Sequence, residues 1–247
     1  ALGVLVGDEI VHDLRLATDR ARTADEYGAL LLPLLQRVGI EPRRASRILV
    51  SSVVPPLDVV IRRLAEDFFE VDATFVGPGI KTGMPIRYDN PAEVGADRIV
   101  NAVAARELYG APVVVVDLGT ATTFDVVDRR GDYVGGIIAP GLAVSAEAMF
   151  VGASKLYRVT LERPARLIGR NTAGAMQSGI YHGFVGLVDG ILGRLLDEMP
   201  GLETVVCTGS RAAFVAEASR HIGPVDERLT LDGLRLIHVL NPVRGRG

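Results

Sequence analysis

Val113-Val-Val-Val-Asp-Leu-Gly-Thr-Ala-Thr-Thr-Phe-Asp125 is the stretch whose reading decides the fold. Four consecutive β-branched apolar residues predict a strand buried on both faces, as in a parallel or mixed sheet covered by helices. The run stops at Asp117, and a carboxylate at the mouth of a buried strand is costly unless a cation or a row of N–H groups meets it. Gly119 permits close backbone approach, while Thr120, Thr122 and Thr123 bring hydroxyls and amides that can form an anion-binding nest. Together these residues suit a metal–phosphate pair. A hairpin turn that merely carries an Asp is the plainer reading of the same local pattern.

Working outward toward the C-terminus, Arg130-Gly131 predicts a turn and Tyr133-Val-Gly-Gly-Ile-Ile138 the returning strand, after which Pro140-Gly141 opens a helix to about Val151. A basic, irregular segment from Gly152 to Arg170 precedes a long helix after Asn171-Thr172. That helix carries Gly174, Gly179, Gly183, Gly186, Gly190 and Gly193, each costing up to about 1 kcal/mol relative to alanine. Such a composition makes sense where another helix or backbone packs close to that face, inside the subunit or across a dimer. Leu202 to Cys207 reads as a strand ending in Thr208-Gly209-Ser210, followed by two short helices, Asn241, and a tail from Pro242 to Gly247 expected to be disordered.

Toward the N-terminus the pattern is again α/β. Ala1 to Leu16 reads as a hairpin turning at Gly7-Asp8. Thr23-Ala-Asp-Glu26 is a capping box opening a helix to about Val38, with Pro33 as a kink or early break. Arg47 to Val53 is a strand, Pro55-Pro56 starts a helix to about Phe69, and Ala73 to Val76 is a further short strand. Gly77 to Pro91 is a polar, glycine- and proline-rich loop, and Glu93 to Leu108 is helical. A hairpin recurs in each half, at Gly7-Asp8 and at Arg130-Gly131, which suggests two related halves.

Composition excludes several classes. A chain of 247 residues with 48% hydrophobic and 23% charged residues is an ordinary globular protein able to bury a large core. A formal net charge of -3 offers no basic footprint, so nucleic acid is not an expected partner. The single cysteine, Cys207, excludes an internal disulfide and fits a reducing cytoplasm. The four histidines are too scattered for a structural zinc site. The opening residues lack the basic region of a signal peptide, and charges interrupt the longest apolar stretch, so no membrane association is expected.

A second constellation is Gly95-Ala-Asp-Arg98, at the start of a predicted helix. A lone Asp there is ordinarily a carboxylate stabilised by the helix dipole. Arg98 beside it and Tyr88 just upstream favour instead a base paired with a carboxylate-binding fork, suited to an anionic substrate whose hydroxyl is activated. Phosphoryl transfer needs little more than positioning, a metal on the phosphates and one proton acceptor. No Walker loop is present, so phosphate binding falls to turns of the Asp-x-Gly-Thr kind, as in actin-like ATPases.

Over essentially its whole length the chain resembles the type III pantothenate kinases. The resemblance rests on Thr18-Asp-Arg, Thr23-Ala-Asp-Glu-Tyr27, Gly83-Met-Pro-Ile through Tyr88-Asp-Asn-Pro91, and Glu93-Val-Gly-Ala-Asp-Arg-Ile-Val-Asn101. It continues through Asp117-Leu-Gly-Thr-Ala-Thr-Thr-Phe-Asp125, Gly135-Gly-Ile-Ile-Ala-Pro-Gly141, Asn171-Thr172 with Gln177-Ser-Gly179, and Thr208-Gly209. Any one motif is weak; in this order they are specific. The resemblance implies an α/β fold of two related RNase H-like, actin-like ATPase domains with a central cleft, residues 1–106 and 107–247, the second carrying a dimerisation helix. It implies ATP-dependent phosphorylation of pantothenate, the first step of coenzyme A biosynthesis, by a cytoplasmic homodimer using ATP with Mg2+ and a monovalent cation, K+ or NH4+. Carried over residue by residue, Asp97 is the proton acceptor, Gly95, Ala96 and Arg98 bind pantothenate with Arg98 on its carboxylate, and Tyr88 lines the same pocket. Asp117 matches the cation ligand and Thr120 an ATP contact, with Gly119 and Thr122 beside it, while Thr172 matches a substrate contact reaching the neighbouring subunit's site.

The sequence departs from the family pattern at three points. The family opens with a strand and an Asp-x-Gly-Asn-Thr turn that contacts ATP, and this sequence starts just after it, roughly a dozen residues on. A sequence cut from a longer chain is the expectation, because a natural chain rarely begins at the inner arm of a hairpin. Ser210 replaces a glycine usual after Thr208-Gly209, and Tyr157 stands where proline is common. The alternative is a catalytically silent member acting as a binding or regulatory protein; a sugar or acetate kinase of the same superfamily is disfavoured by Gly95-Ala-Asp-Arg98.

Overall fold

The computed structural model describes residues 1–153 and 156–242, so most of the tail expected to be disordered lies outside the described residues. The chain divides into two compact units, one built from Ala1–Ala104 and the chain from Thr230 onward, the other from Ala105–Leu229.

The second unit is built on the valine run. β5 (Val113–Leu118) pairs antiparallel with β6 (Ala121–Val127), which pairs antiparallel with β7 (Tyr133–Pro140); on its other side β5 pairs parallel with β8 (Thr204–Thr208). The sheet order is β7-β6-β5-β8, and Val113 to Val116 are fully buried at its centre. One face, with Val114, Val116, Leu118, Phe124, Val126 and Cys207, forms the apolar core with α4 (Leu142–Gly152), α5 (Thr172–Glu198) and α6 (Ala212–Ala216). The Arg130-Gly131 turn forms as predicted, with Gly131 at a φ of 80° and its N–H donating to the Asp128 carbonyl at 2.9 Å.

The first unit holds two small sheets. β1 (Leu2–Val6) and β2 (Glu9–Leu14) form the predicted hairpin, with Gly7 at a φ of 61° in the two-residue turn. β3 (Ile48–Val50) pairs parallel with β4 (Ala73–Phe75). Among the described residues no strand joins β1–β2 to β3–β4 as β5 joins the hairpin to β8. β3 is shorter than the expected Arg47 to Val53 because its partner has only three residues, and because Ser52 is turned to Asp58 and accepts the Val54 N–H at 3.2 Å as α2 (Pro55–Leu64) begins. α2 continues through a single wider turn, Ala65–Phe69, burying both end residues. α1 (Ala24–Arg37) starts at the predicted capping box: Thr23 Oγ1 accepts the Glu26 N–H at 3.3 Å and Glu26 Oε2 accepts the Thr23 N–H at 2.8 Å. Such a cap contributes about 1 kcal/mol, and Pro33 is accommodated within the helix.

α3 (Ala96–Tyr109) starts three residues after the expected Glu93, because Pro91–Glu93 form a separate short turn held by Asn90, whose side chain accepts the Ala92 N–H at 3.3 Å. Residues 107–247 were expected to form one domain, yet from Thr230 onward the chain groups with the first unit, carrying nearly all of α7 (Leu229–Leu240). Packing gives the reason. A Cβ on Gly233 would lie 2.1 Å from the Val100 carbonyl oxygen, so the absence of a side chain there lets α7 lie directly on the α3 backbone. Thr230 Oγ1 donates to Asn101 Oδ1 at 2.7 Å, and Asn241 clasps Lys81 through its N–H (3.0 Å) and carbonyl (2.8 Å).

Among the described residues no helix is long and apolar enough to cross a membrane. The glycines of α5 divide by environment. Gly179, Gly183, Gly186 and Gly190 are exposed, and an added Cβ at any of them meets nothing within 4 Å, so no close packing inside the subunit explains them.

Gly233→Ala is expected to lower folding stability by about 1–3 kcal/mol, the usual cost of forcing atoms into a packed contact. Gly77→Ala, whose added Cβ meets nothing within 4 Å, serves as the control and should change stability little. Urea denaturation of both variants decides it: equal midpoints would show that α7 does not depend on this crossing.

Candidate functional site

In the first unit the residues of interest lie on one turn. Val94 is buried, Gly95 accepts the first helical N–H, from Ile99, at 3.2 Å, and Ala96 opens α3. A side chain at Gly95 would put its Cβ 2.7 Å from Asp97 Oδ1 and 3.2 Å from Val53, so glycine leaves room for the carboxylate. Asp97, half-buried in the first helical turn, accepts the Arg98 N–H on Oδ1 at 2.8 Å. That is its only side-chain hydrogen bond among the described residues, so one oxygen is held while Oδ2 remains available to a hydroxyl. Arg98 is 7% exposed. Tyr88 is half-buried in the loop that Asn241 pins at Lys81 and that Met84, itself buried, anchors to Thr82.

In the second unit three connections meet at the C-terminal end of β5. In the β5–β6 turn the Gly119 N–H donates to the Ala121 carbonyl at 3.1 Å. The start of α4 closes over it: the Gly141 N–H donates to the Thr120 carbonyl at 3.1 Å, and an added Cβ on Gly141 would lie 2.3 Å from that oxygen and 2.5 Å from the Gly119 carbonyl. From β8, Gly209 takes a φ of 100°, and its added Cβ would sit 2.7 Å from Asp117 Oδ1 and from the Leu118 backbone. Two glycines therefore remove the atoms that would fill the space around the Asp117 carboxylate and the turn. Asp117 is half-buried, and Gly119 and Thr120 are exposed.

Thr122, expected beside the nucleotide contact at Thr120, has its side chain turned inward. It is fully buried, and its hydroxyl donates to the Pro140 carbonyl at 3.3 Å, because strand alternation turns it onto the core face with Phe124 and Val126. Its role is to tie β6 to β7. Thr172 is exposed in the first turn of α5, after Asn171, whose Oδ1 caps the helix by accepting the Gly174 N–H at 2.7 Å.

The opposite sheet face holds a group the motif reading passes over. Asp125 is fully buried; it accepts the Tyr133 hydroxyl on Oδ1 at 2.8 Å and the Thr123 hydroxyl on Oδ2 at 2.9 Å. The signal was present in the sequence: a charged residue within an otherwise buried strand, on the same alternation as Thr123. On the core face, burial and, to a smaller extent, the Asp117 carboxylate push the Cys207 thiol up to about 12, so it is an inert core group rather than a nucleophile.

Hard oxygen donors around Asp117 suit a monovalent cation. No group of three or more His, Cys, Asp or Glu able to hold a metal occurs among the described residues.

Comparison with known proteins places this geometry in a family. A family model described as type III pantothenate kinase matches residues 1–194. The chain is 52% identical over 240 residues to the type III pantothenate kinase of Geobacter sulfurreducens, covering 97% of this chain and 94% of that protein. It is 51% identical over the same span, with the same coverage, to the one from Brevibacillus brevis. In fold it is similar to the activator of the 2-hydroxyisocaproyl-CoA dehydratase from Clostridium difficile, solved with bound ADPNP, at 12% identity and a TM-score of 0.51, covering 95% of this chain and 87% of that one. With half of its residues shared over nearly its full length, and on an actin-like ATPase fold, the chain belongs to the type III pantothenate kinase family.

Proposed function

We propose that this chain catalyses the ATP-dependent phosphorylation of pantothenate, with Asp97 accepting the proton from the substrate hydroxyl. The family supports the reaction, and the comparisons give no support to a silent binding protein. The observation that carries the role of Asp97 is its geometry: one carboxylate oxygen fixed by the Arg98 N–H, the other left to receive a proton. As the hydroxyl oxygen bonds to the γ-phosphorus and the bond to the bridging oxygen of ADP breaks, the proton passes to Asp97 Oδ2. Arg98 offers a planar fork to the pantothenate carboxylate, and Gly95, Ala96 and Tyr88 line that side.

On the nucleotide side we assign phosphate contacts to the Gly119–Thr120 turn and a monovalent cation, K+ or NH4+, to Asp117. When bound, that ion and Mg2+ supply positive charge against the charge developing on the transferring phosphoryl group. The close approach of Gly141 and Gly209 keeps the turn rigid, so its donors need not reorganise during the reaction. A lone, inert cysteine and a reaction that consumes ATP fit a cytoplasmic enzyme.

We assign the exposed glycine stripe of α5 to a homodimer interface, from which Thr172 reaches the neighbouring subunit's site. Four glycines exposed along one helix, none packed inside the subunit, cost roughly 1 kcal/mol each unless a second backbone approaches that face. Exposed Ile138 on the edge strand β7, with Val144 and Met149 on α4, adds apolar area in the same unit.

Two outcomes are expected. Asp97→Asn should lower kcat by about 10²–10⁴ with an unchanged melting temperature; wild-type turnover would remove Asp97 from the chemistry. Gly186→Glu should convert a dimer to a monomer in light scattering and lower activity. Because glutamate forms helix better than glycine, weakening of α5 cannot produce that result. A Gly186→Glu dimer indistinguishable from wild type would refute the interface.

A further inference from the structure

We propose that Thr123 is a second side-chain ligand at the cation site, presenting its hydroxyl lone pairs to the ion beside Asp117, and that Asp125 and Tyr133 are positioning residues that hold it there. The inference rests on the assignment of a monovalent cation to Asp117.

Asp117 and Thr123 are direct cross-strand partners in the β5–β6 ladder, so their side chains emerge on one face as near neighbours, with Cβ atoms about 4.5–5.5 Å apart. The neighbours Thr122 and Phe124 point to the apolar core, which places Thr123 and Asp125 on the opposite side, the Asp117 side. Thr123 is half-buried, as an ion-facing group must be, whereas Asp125 and Tyr133 are fully buried.

The direction of the hydrogen bonds selects the ligand class. The Thr123 hydroxyl has one proton, and it is donated to Asp125 Oδ2 at 2.9 Å. What remains on Oγ1 is acceptor capacity, which attracts a cation and repels a phosphate oxygen. Asp125 is itself oriented by the Tyr133 hydroxyl on its other oxygen at 2.8 Å. The arrangement is that of a ligand whose orientation is set by an outer carboxylate, as second-layer groups do around metals.

The test uses the whole enzyme saturated with ADP, titrated with KCl against choline chloride at constant ionic strength, and reads the K+-dependent rise in melting temperature together with the K+ concentration giving half-maximal turnover. Thr123→Val is expected to raise half-saturation by about tenfold or more, Thr123→Ser to restore it, and Tyr133→Phe to raise it by a smaller factor, while the ADP affinity measured at saturating K+ stays near wild type. Asp117→Asn separates the two assignments. If it leaves the K+ response intact, the cation does not sit at Asp117 and the underlying reading fails. If it abolishes the response while Thr123→Val behaves as wild type, or if Thr123→Ser fails to rescue a soluble, folded protein, this inference is overturned. Should Thr123→Val not fold, Thr123→Ser and Tyr133→Phe decide alone, and a wild-type half-saturation in Tyr133→Phe overturns the positioning role.

Discussion

A carboxylate at the end of a fully buried strand is the constraint on which the second unit turns. Val113 to Val116 are driven into the sheet centre by burial, and the chain leaves that environment at Gly119. Asp117 ends the buried run at an opening lined by backbone rather than side chains, because Gly141 and Gly209 admit two further chain segments to that point. Replacing either glycine would push a methyl group into carbonyl or carboxylate oxygens. Sheet order, the start of α4 and the end of β8 are thus geometrically coupled to one acidic residue.

Burying Asp125 behind that site is unfavourable by itself, and the two hydroxyl donors offset part of the desolvation. A stable apolar pair in its place would serve folding as well. A carboxylate in a fully buried position of β6, two residues beyond half-buried Thr123 and on the same face, is explained by orientation of that threonine rather than by a contribution to stability.

The elements legible in the sequence were those specified locally. The valine strand, the capping box at Thr23, the glycine turns at Gly7 and Gly131 and the long α5 all follow from patterns spanning a few residues. The turn carrying Asp97 and Arg98 was legible for the same reason. What escaped depends on contacts between distant parts of the chain: α7 joins the first unit through Gly233 on Val100 and Thr230 on Asn101, pairings separated by well over a hundred residues. The burial of Thr122 was not legible because the threonines at 120, 122 and 123 look alike until the pleat sends 122 and 123 to opposite faces. The glycine stripe on α5 could be counted but not oriented, since composition does not tell which neighbours surround a helix.

The proposed reaction rests on Asp97 as the proton acceptor and on Asp117 as the cation ligand. The most direct measurement of both roles is a crystal structure of the enzyme with pantothenate, a non-hydrolysable ATP analogue and Tl+ in place of K+, read by anomalous scattering. The account predicts a thallium peak in contact with Asp117 Oδ, and the pantothenate hydroxyl within hydrogen-bond distance of Asp97 Oδ2 and facing the γ-phosphate. A peak elsewhere, or a hydroxyl met by some other base, would contradict it.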